Sequence, residues 1–439
     1  MNGGCNLESF GKTFIKTGMA LSSMRGECKG LPPLRRSRLQ RPLSPPLRII
    51  YNGPMEKALT IESLAYQGYG VGRADDGLVW FVPYTVPGDR ITAVSVDEKK
   101  SFVFGKTAAI TEPSPLRREA RCPLFGECGG CHWQTVDYDT QLKAKGDILA
   151  ETFKRAGLIL EEPPVLRGAP EEFGYRNRIQ LRYNETGEPV FYRRDSHQVV
   201  AVKNCPLAHP ALNEELAILW SDANRSVFPE GVELRLKKDG SVERIGLEKR
   251  AESEYDFSQV NQPVNLLLQA EIRRTAEKWG PGDKPWRVMD LFCGNGNLSL
   301  PLLDRAARIR GWDLSAGACT EGMNQAREQG AVTRGDGAQV RFFSRSLEKS
   351  TDAILREAAR ADMVIIDPPR KGIGDHRRLF QQIETPLLFY VSCSPPTLAR
   401  DLASLKSRGY RLEELVVFDM FPQTFHMESL AVMVHKSRP

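Results

Sequence analysis

The sequence predicts an α/β protein. A doubly wound parallel sheet is expected over residues 256–439, a small OB-type β-barrel over 55–112, and a mixed α+β module over 113–255 between them. Three observations predict this. From about Asp256 onward, apolar strand-like runs alternate with helical segments, the pattern of a parallel sheet wrapped by helices. Short strand-forming runs broken by glycine fill Lys57 to Thr111, at a spacing that suits a five-stranded barrel. One apolar run, MDLF at 289–292, ends in a glycine-bearing turn, where wound sheets hold their ligands.

Composition narrows the class. The 439 residues are 41% hydrophobic and 26% charged, enough for two or three domains with real cores, and unlike a disordered, fibrous or small disulfide-stapled chain. No stretch approaches the roughly 20 apolar residues of a membrane span. The net charge of +6 hints at nucleic acid, yet residues 1–54 carry nine Lys/Arg against Glu8 and Glu27, so the remainder sums to −1. That segment has six prolines and no hydrophobic period. It reads as a basic RNA-contacting arm, as an Arg-rich targeting peptide, or as sequence upstream of a true start at Met55. The last is expected, because strand-like patterning begins just after Met55.

In order along the chain, the barrel strands lie in ALTIESLAYQGYGVGR, LVWFVPY, RITAVSVDE and SFVFGKTAAI, and Pro113-Ser114-Pro115 closes that module. The middle module is expected to hold a helix over Tyr138–Gly157 and strands near Ile179–Tyr183, Val190–Arg193 and Val199–Val202. The wound sheet takes strands at Val288–Phe292, Arg308–Trp312, Val340–Phe343, Met363–Asp367 and Leu387–Ser392. A pair at Leu415–Phe418 and Leu430–His435 ends it.

Chemistry-bearing residues gather in three places. Cys122, Cys128 and Cys131 stand in CPLFGECGGC, and Cys205 follows in NCPL. Four thiolates can ligate a [4Fe–4S] cluster or a structural zinc ion; disulfides are disfavoured without a secretory signal. In the second place, Gly294 and Gly296 of FCGNGN permit close approach of a ligand, and Asp313 ends the next strand, where a carboxylate can take the hydroxyls of a ribose. The dinucleotide fingerprint is incomplete, since Leu298 and Ser299 stand where its last glycine would fall. An adenosyl cofactor such as S-adenosylmethionine fits better than NAD. In the third place, DPPR (367–370) and SCSPPTLARD (392–401) follow successive strands. Cys393 precedes a helix expected near Pro395, whose N-terminus would lower its pKa. Glu428 and His426 in FPQTFHMES are acid–base candidates.

FCGN, DPPR, SC-x-P-x-T-L-A-R-D and FP-x-T-x-H-x-E in this order resemble the RNA uridine-5 methyltransferase family, over about Lys57 to His435. FSQVN (257–261), YRNR (175–178) and YRRDSH (192–197) add to the likeness. The resemblance implies a class I (Rossmann-like) methyltransferase domain that uses S-adenosylmethionine. It also implies a TRAM-type barrel and a central domain with a [4Fe–4S] cluster on Cys122, Cys128, Cys131 and Cys205. It makes Cys393 the nucleophile and Glu428 the base. Asp367 would orient base and donor, and Gln259, Phe292, Asn297, Asp313 and Ser346 fall at cofactor positions. The family often has Asn at the position of Ser394, Glu at Asp313 and Asn at Ser346. The expected partner is RNA, ribosomal before transfer RNA, and the enzyme is expected to be a cytoplasmic monomer. RNA contacts are sought at Tyr66, Tyr69, Trp80, Phe81, Tyr84, Arg176, Arg178, Arg193 and Arg194. Cytosine-5 methylation and a non-catalytic cluster-bearing RNA binder are the alternatives.

Overall fold

A computed structural model of the chain describes residues 54–221, 228, 230–247, 259–332 and 337–436. The basic segment up to residue 53, the expected boundary at 255–256, and Phe257 and Ser258 lie outside these. Everything below belongs to the unit Glu56–Pro439.

The barrel forms as its glycine-broken pattern predicts. Strands β1 (Glu56–Leu64), β2 (Tyr69–Arg73), β3 (Val79–Pro83), β4 (Arg90–Glu98) and β5 (Phe102–Glu112) close in the order β1-β2-β3-β5-β4. Alternation sends Trp80, Val82 and Val103 fully inside and leaves Phe81, Phe102 and Phe104 half-buried on the outer surface, as a period of two requires. Gly105 is needed for close packing, because a Cβ there would lie 2.9 Å from the Trp80 ring.

The middle of the chain divides between two sheets. Helix α1 (Tyr138–Arg155) is capped by Asp137, whose carboxylate accepts from the Thr140 N–H. Strand β6 (Val165–Arg167) follows. Both fall within the span assigned to the middle module, yet β6 pairs with the C-terminal sheet and α1 buries Ile148, Leu149 and Phe153 in that sheet's core. The expected extent of the middle module, 113–255, is corrected accordingly: α1 and β6 belong with the C-terminal sheet, since the apolar face of α1 needs a sheet to cover it. The separate module is smaller: β7 (Arg178–Tyr183), β8 (Pro189–Tyr192), β9 (Val199–Ala201), α2 (Pro210–Ser221), β10 (Val232–Leu236) and β11 (Val242–Gly246). Its sheet runs β11-β10-β7-β8-β9 over a core of Ile179, Leu181, Leu212, Leu216, Val232 and Leu234.

The wound domain starts with α3 (Gln262–Trp279), capped by Asn261. Strand β12 (Trp286–Leu291) follows, then β13 (Ala306–Asp313), α4 (Ala316–Glu328), β14 (Gln339–Ser344), α5 (Thr351–Ala358), β15 (Met363–Ile366), α6 (Arg377–Phe380), β16 (Leu387–Ser392), α7 (Pro395–Lys406), β17 (Tyr410–Phe418) and β18 (Glu428–His435). The sheet order is β14-β13-β12-β15-β16-β18-β17-β6, parallel except for β18. After Gly296 the chain makes only a 3-10 turn, Leu300–Leu302, because Pro301 has no N–H to carry a helix forward.

Candidate active site

The reactive edge is set by strand register. Strands β16 and β18 are antiparallel with Ser392 opposite Ser429, so the next residues outward, Cys393 and Glu428, face each other. On the other side of β16, β15 pairs Ile366 with Tyr390, which brings Asp367 to the same edge. Burial and then the charge of Glu428 push the Cys393 thiol up to about 12, while Arg370 pulls it down. The thiol is therefore not the pre-ionised one expected from the α7 N-terminus; desolvation outweighs the helix dipole here. Burial and the charge of Asp367 raise Glu428 well above the usual carboxyl range, with Arg370 opposing. Its Oε1 is buried without a hydrogen-bond partner. Asp367 itself is pushed up to about 7 by burial and by Asp313.

Aromatic rings wall this edge. Tyr66, from the turn between β1 and β2, meets Phe425 edge to face at 5.3 Å between centroids, and its hydroxyl hydrogen-bonds Ser394. His426 packs on Phe425 at 4.1 Å. Burial, helped by Arg370, holds the His426 pKa down at about 3, so it is neutral at ordinary pH and Glu428 is the remaining acid–base group of its motif.

Four of the positions expected to meet the cofactor line the carboxyl ends of four adjacent strands. Phe292 follows β12, Asp313 ends β13, Ser346 follows β14 and Asp367 follows β15. Phe292 adopts φ 63°, a rare conformation for a ring-bearing residue that marks a held turn. Asp313 fastens that turn: Oδ2 accepts from Gly294 N (3.0 Å) and Oδ1 from Ser315 N (2.8 Å). Asn297 turns the other way, exchanging two 2.9 Å amide bonds with Asn265 of α3 and accepting from Gln269. It shapes the turn from behind, not as an open contact. The Ser346 hydroxyl accepts from Lys349 N at 3.3 Å. Gln259 is buried ahead of α3, its carbonyl accepting from Asn177 at 2.8 Å. Beneath the turn, Ser299 donates to Asp290 at 2.5 Å, and burial pushes the Asp290 carboxyl up to about 8.

Cys122, Cys128, Cys131 and Cys205 line one cavity of about 360 Å³ together with Arg176 and Arg178. Among the described residues no three His, Cys, Asp or Glu side chains are disposed to share one metal ion. The Arg176 Nε is buried without a partner and its charge faces Cys131 and Cys205. Several RNA candidates therefore have other work. Arg176 and Arg178 belong to this cavity, and Trp80 is barrel core. Arg193 pairs with Glu127 at 2.8 Å. Arg194 stacks over Tyr69 at 4.4 Å and donates to the Gln67 carbonyl.

Residues 251–437 match the family model described as tRNA (Uracil-5-)-methyltransferase. A 23S rRNA (uracil(1939)-C(5))-methyltransferase from Pseudomonas aeruginosa is 32% identical, the alignment covering 86% of this chain and 94% of that one. The chain belongs to the RNA uracil-5 methyltransferase family. An uncharacterized RNA methyltransferase from Bdellovibrio bacteriovorus is likewise 32% identical, over 85% of this chain and 93% of its own length. In fold, the methyltransferase is similar to the Pyrococcus abyssi tRNA (uracil-54, C5)-methyltransferase, solved in complex with S-adenosyl-L-homocysteine. Its TM-score is 0.61 at 22% identity, covering 86% of this chain and all of that one.

Residues of the methyltransferase's site that the sequence did not single out are Arg370, Asp290, Gln423, Gln141 and the fully buried ion pair Lys145–Asp419. Arg370 was within reach as the last letter of DPPR. The others are polar residues on apolar faces, which carry no local signal.

Proposed function

We propose that this chain transfers the methyl group of S-adenosylmethionine to C5 of a uridine in large-subunit ribosomal RNA, with Cys393 as nucleophile and Glu428 as base. The observation that carries the reading is the β16–β18 register, which sets a thiol opposite a buried carboxylate whose Oε1 has no hydrogen-bond partner, at the edge where the cofactor turn opens. The ribosomal substrate rests on relatives such as the Pseudomonas aeruginosa enzyme.

The chemistry needs both groups. C5 of uracil is too weak a nucleophile to take a methyl group unaided. The Cys393 thiol loses its proton to solvent, Arg370 favouring the thiolate. Sγ then adds to C6, and the electron pair of the C5–C6 double bond moves toward C5 as an enolate, which takes the methyl group. S-adenosylmethionine supplies that group as an electrophile on a sulfonium. Glu428, whose burial gives it a high proton affinity, then accepts the C5 proton, and Cys393 leaves as thiolate. Arg370 is placed to favour that thiolate. A stacked uracil exposes neither face, so the target is single-stranded or flipped out, and Tyr66 and Phe425 offer it rings to lie against.

The cysteine cavity is proposed to hold a [4Fe–4S] cluster. One tetrahedral zinc ion would need sulfurs about 3.8 Å apart, given Zn–S bonds of ~2.3 Å. A set of four cysteines around one cavity, without three ligands in reach of a single ion, fits a larger group with one thiolate on each iron. Cys122, Cys128, Cys131 and Cys205 would hold it, and Arg176 would balance thiolate charge. Its contribution is to tie residues 122–131 to Cys205. Iron and acid-labile sulfide near four each per chain are expected on anaerobic purification; stoichiometric zinc would overturn this.

The function is tested by methyl transfer from labelled S-adenosylmethionine to unmodified total RNA, with nucleoside analysis after separating ribosomal from transfer RNA. Label in 5-methyluridine of the ribosomal fraction is expected. Label in transfer RNA would change the substrate, and label in 5-methylcytidine would change the base.

A further inference from the structure

The nine residues between β17 and β18 deliver Glu428, and the strands alone do not fix their path. Gln423, at the centre of this connection, is buried and holds φ 69°, a left-handed conformation that a non-glycine residue keeps only where its surroundings enforce it. Those surroundings come from residues that follow Cys131. The backbone N–H groups of His132 and Trp133 both donate to the Gln423 carbonyl, at 2.9 and 3.1 Å. Gln423 N donates to Gln141 Oε1 at 3.0 Å, and Gln141 Nε2 donates back to Gln423 Oε1 at 3.0 Å while also reaching the Trp133 and Val136 carbonyls. Tyr175 OH donates to the Pro422 carbonyl at 3.1 Å. Lys145, paired with Asp419, donates to the Phe421 carbonyl at 3.2 Å.

We propose that the Gln141–Gln423 pair is a positioning device for Glu428, through which the Cys131 segment controls the proton-removal step. The inference rests on the proposed roles of Cys393 and Glu428. It separates two halves of the reaction. Addition of Cys393 and methyl transfer need the base seated against Tyr66 and Phe425, which pack on each other, but do not need the Glu428 carboxylate in register. Elimination does: the C5–H bond breaks, the proton goes to the Glu428 carboxylate, the electron pair restores C5=C6, and the Sγ–C6 bond breaks to release thiolate. Loosening the pair therefore slows the second half alone and leaves methylated RNA joined to Cys393.

The test is a single-turnover reaction of full-length Gln141→Ala with target RNA and labelled S-adenosylmethionine. It is read as RNA–protein adduct on a denaturing gel beside steady-state kcat and KM. One lost buried hydrogen-bonded partner corresponds to a roughly tenfold effect. The expected result is an adduct surviving about tenfold longer than in wild type, kcat lower by a similar factor and KM for RNA unchanged. Tyr175→Phe keeps its ring and loses one bond, so it is expected to move the same way by about two- to threefold even if Gln141→Ala folds poorly. Turnover falling in both variants with no adduct build-up would overturn the inference and leave the pair a purely structural role. Glu428→Gln run alongside must itself accumulate adduct; if it does not, the base assignment fails, and the inference falls with it for that separate reason.

Discussion

The cofactor half and the reactive half of the site are built in opposite ways. Around the FCGNGN turn nearly every polar group is satisfied from within. Asp313 holds Gly294 and Ser315, Asn297 is locked to Asn265 and Gln269, and Ser299 holds Asp290; Asn295 Oδ1 is the exception. A few strands away, Glu428 Oε1 is buried with no partner; burial and Glu428 hold the proton affinity of the Cys393 thiol high, and burial and Asp367 do the same for Glu428. The difference teaches that the recess for the small ligand is prebuilt, whereas the reacting groups are left in a state that an incoming base relieves. A buried carboxylate oxygen without a partner costs stability, and its retention beside a thiol is the observation on which the proposed chemistry at this edge rests.

Substitutions on the two sides should behave differently, and the largest effects belong to the reactive half. Cys393→Ala is expected to lower kcat by at least ~10³-fold with little change in thermal stability, since it removes a single sulfur atom and only that atom's contact with Arg370. A melting temperature that fell with activity would erase the contrast. Glu428→Gln is expected to reduce turnover by about 10²–10⁴-fold while RNA–protein adduct accumulates.

In the cofactor half, Asn297→Ala removes both amide bonds of Asn265 and one of the two bonds of Gln269, whose bond to the backbone carbonyl of residue 297 survives. It should cost about 1–3 kcal/mol of stability, seen by thermal melting, and raise KM for the methyl donor about tenfold with kcat at saturation kept. A loss confined to kcat would place Asn297 among the reacting groups instead. A further effect, on stability and not on turnover, concerns pH. Asp290 titrates near 8 in the fold against an ordinary 3.8, so between those values the native state holds a proton that the unfolded chain has released. This contribution is fully present below pH ~4 and is lost as pH rises through about 8, with a slope of at most ~1.4 kcal/mol per pH unit. Asp290→Asn should flatten the decline in melting temperature between pH 5 and 9 and make the protein more stable than wild type at the alkaline end.

The legible parts of this molecule are those whose signal is local. β16 was readable as Leu387–Ser392 because it is one continuous apolar run between turn signals. Cys393 followed because a thiol at the end of such a strand sits at the ligand edge. The partners that fix the site were not legible. Gln141 and Lys145 lie one helical turn apart on the buried face of α1, and their partners are 282 and 274 residues away in sequence. Nothing in TQLKAKGD separates them from ordinary surface residues. β6 has three residues, too few for a period to register. Arg176 was read as facing RNA because arginine is usually exposed, and only the arrangement of four cysteines around it turns its charge inward. The raised thiol of Cys393 was missed for the same reason: a helix N-terminus is visible in sequence, but the depth at which it ends is not.

The most direct test of uridine C5 chemistry at Cys393 and Glu428 follows the hydrogen that must leave. RNA carrying tritium at uridine C5 is incubated with the protein and S-adenosylmethionine, and tritium released to water is compared with methyl groups gained. Equal release and gain are expected for the wild type, and gain without release for Glu428→Gln. Methyl gain by the wild type with the tritium retained would place the group on another atom and contradict the proposed chemistry.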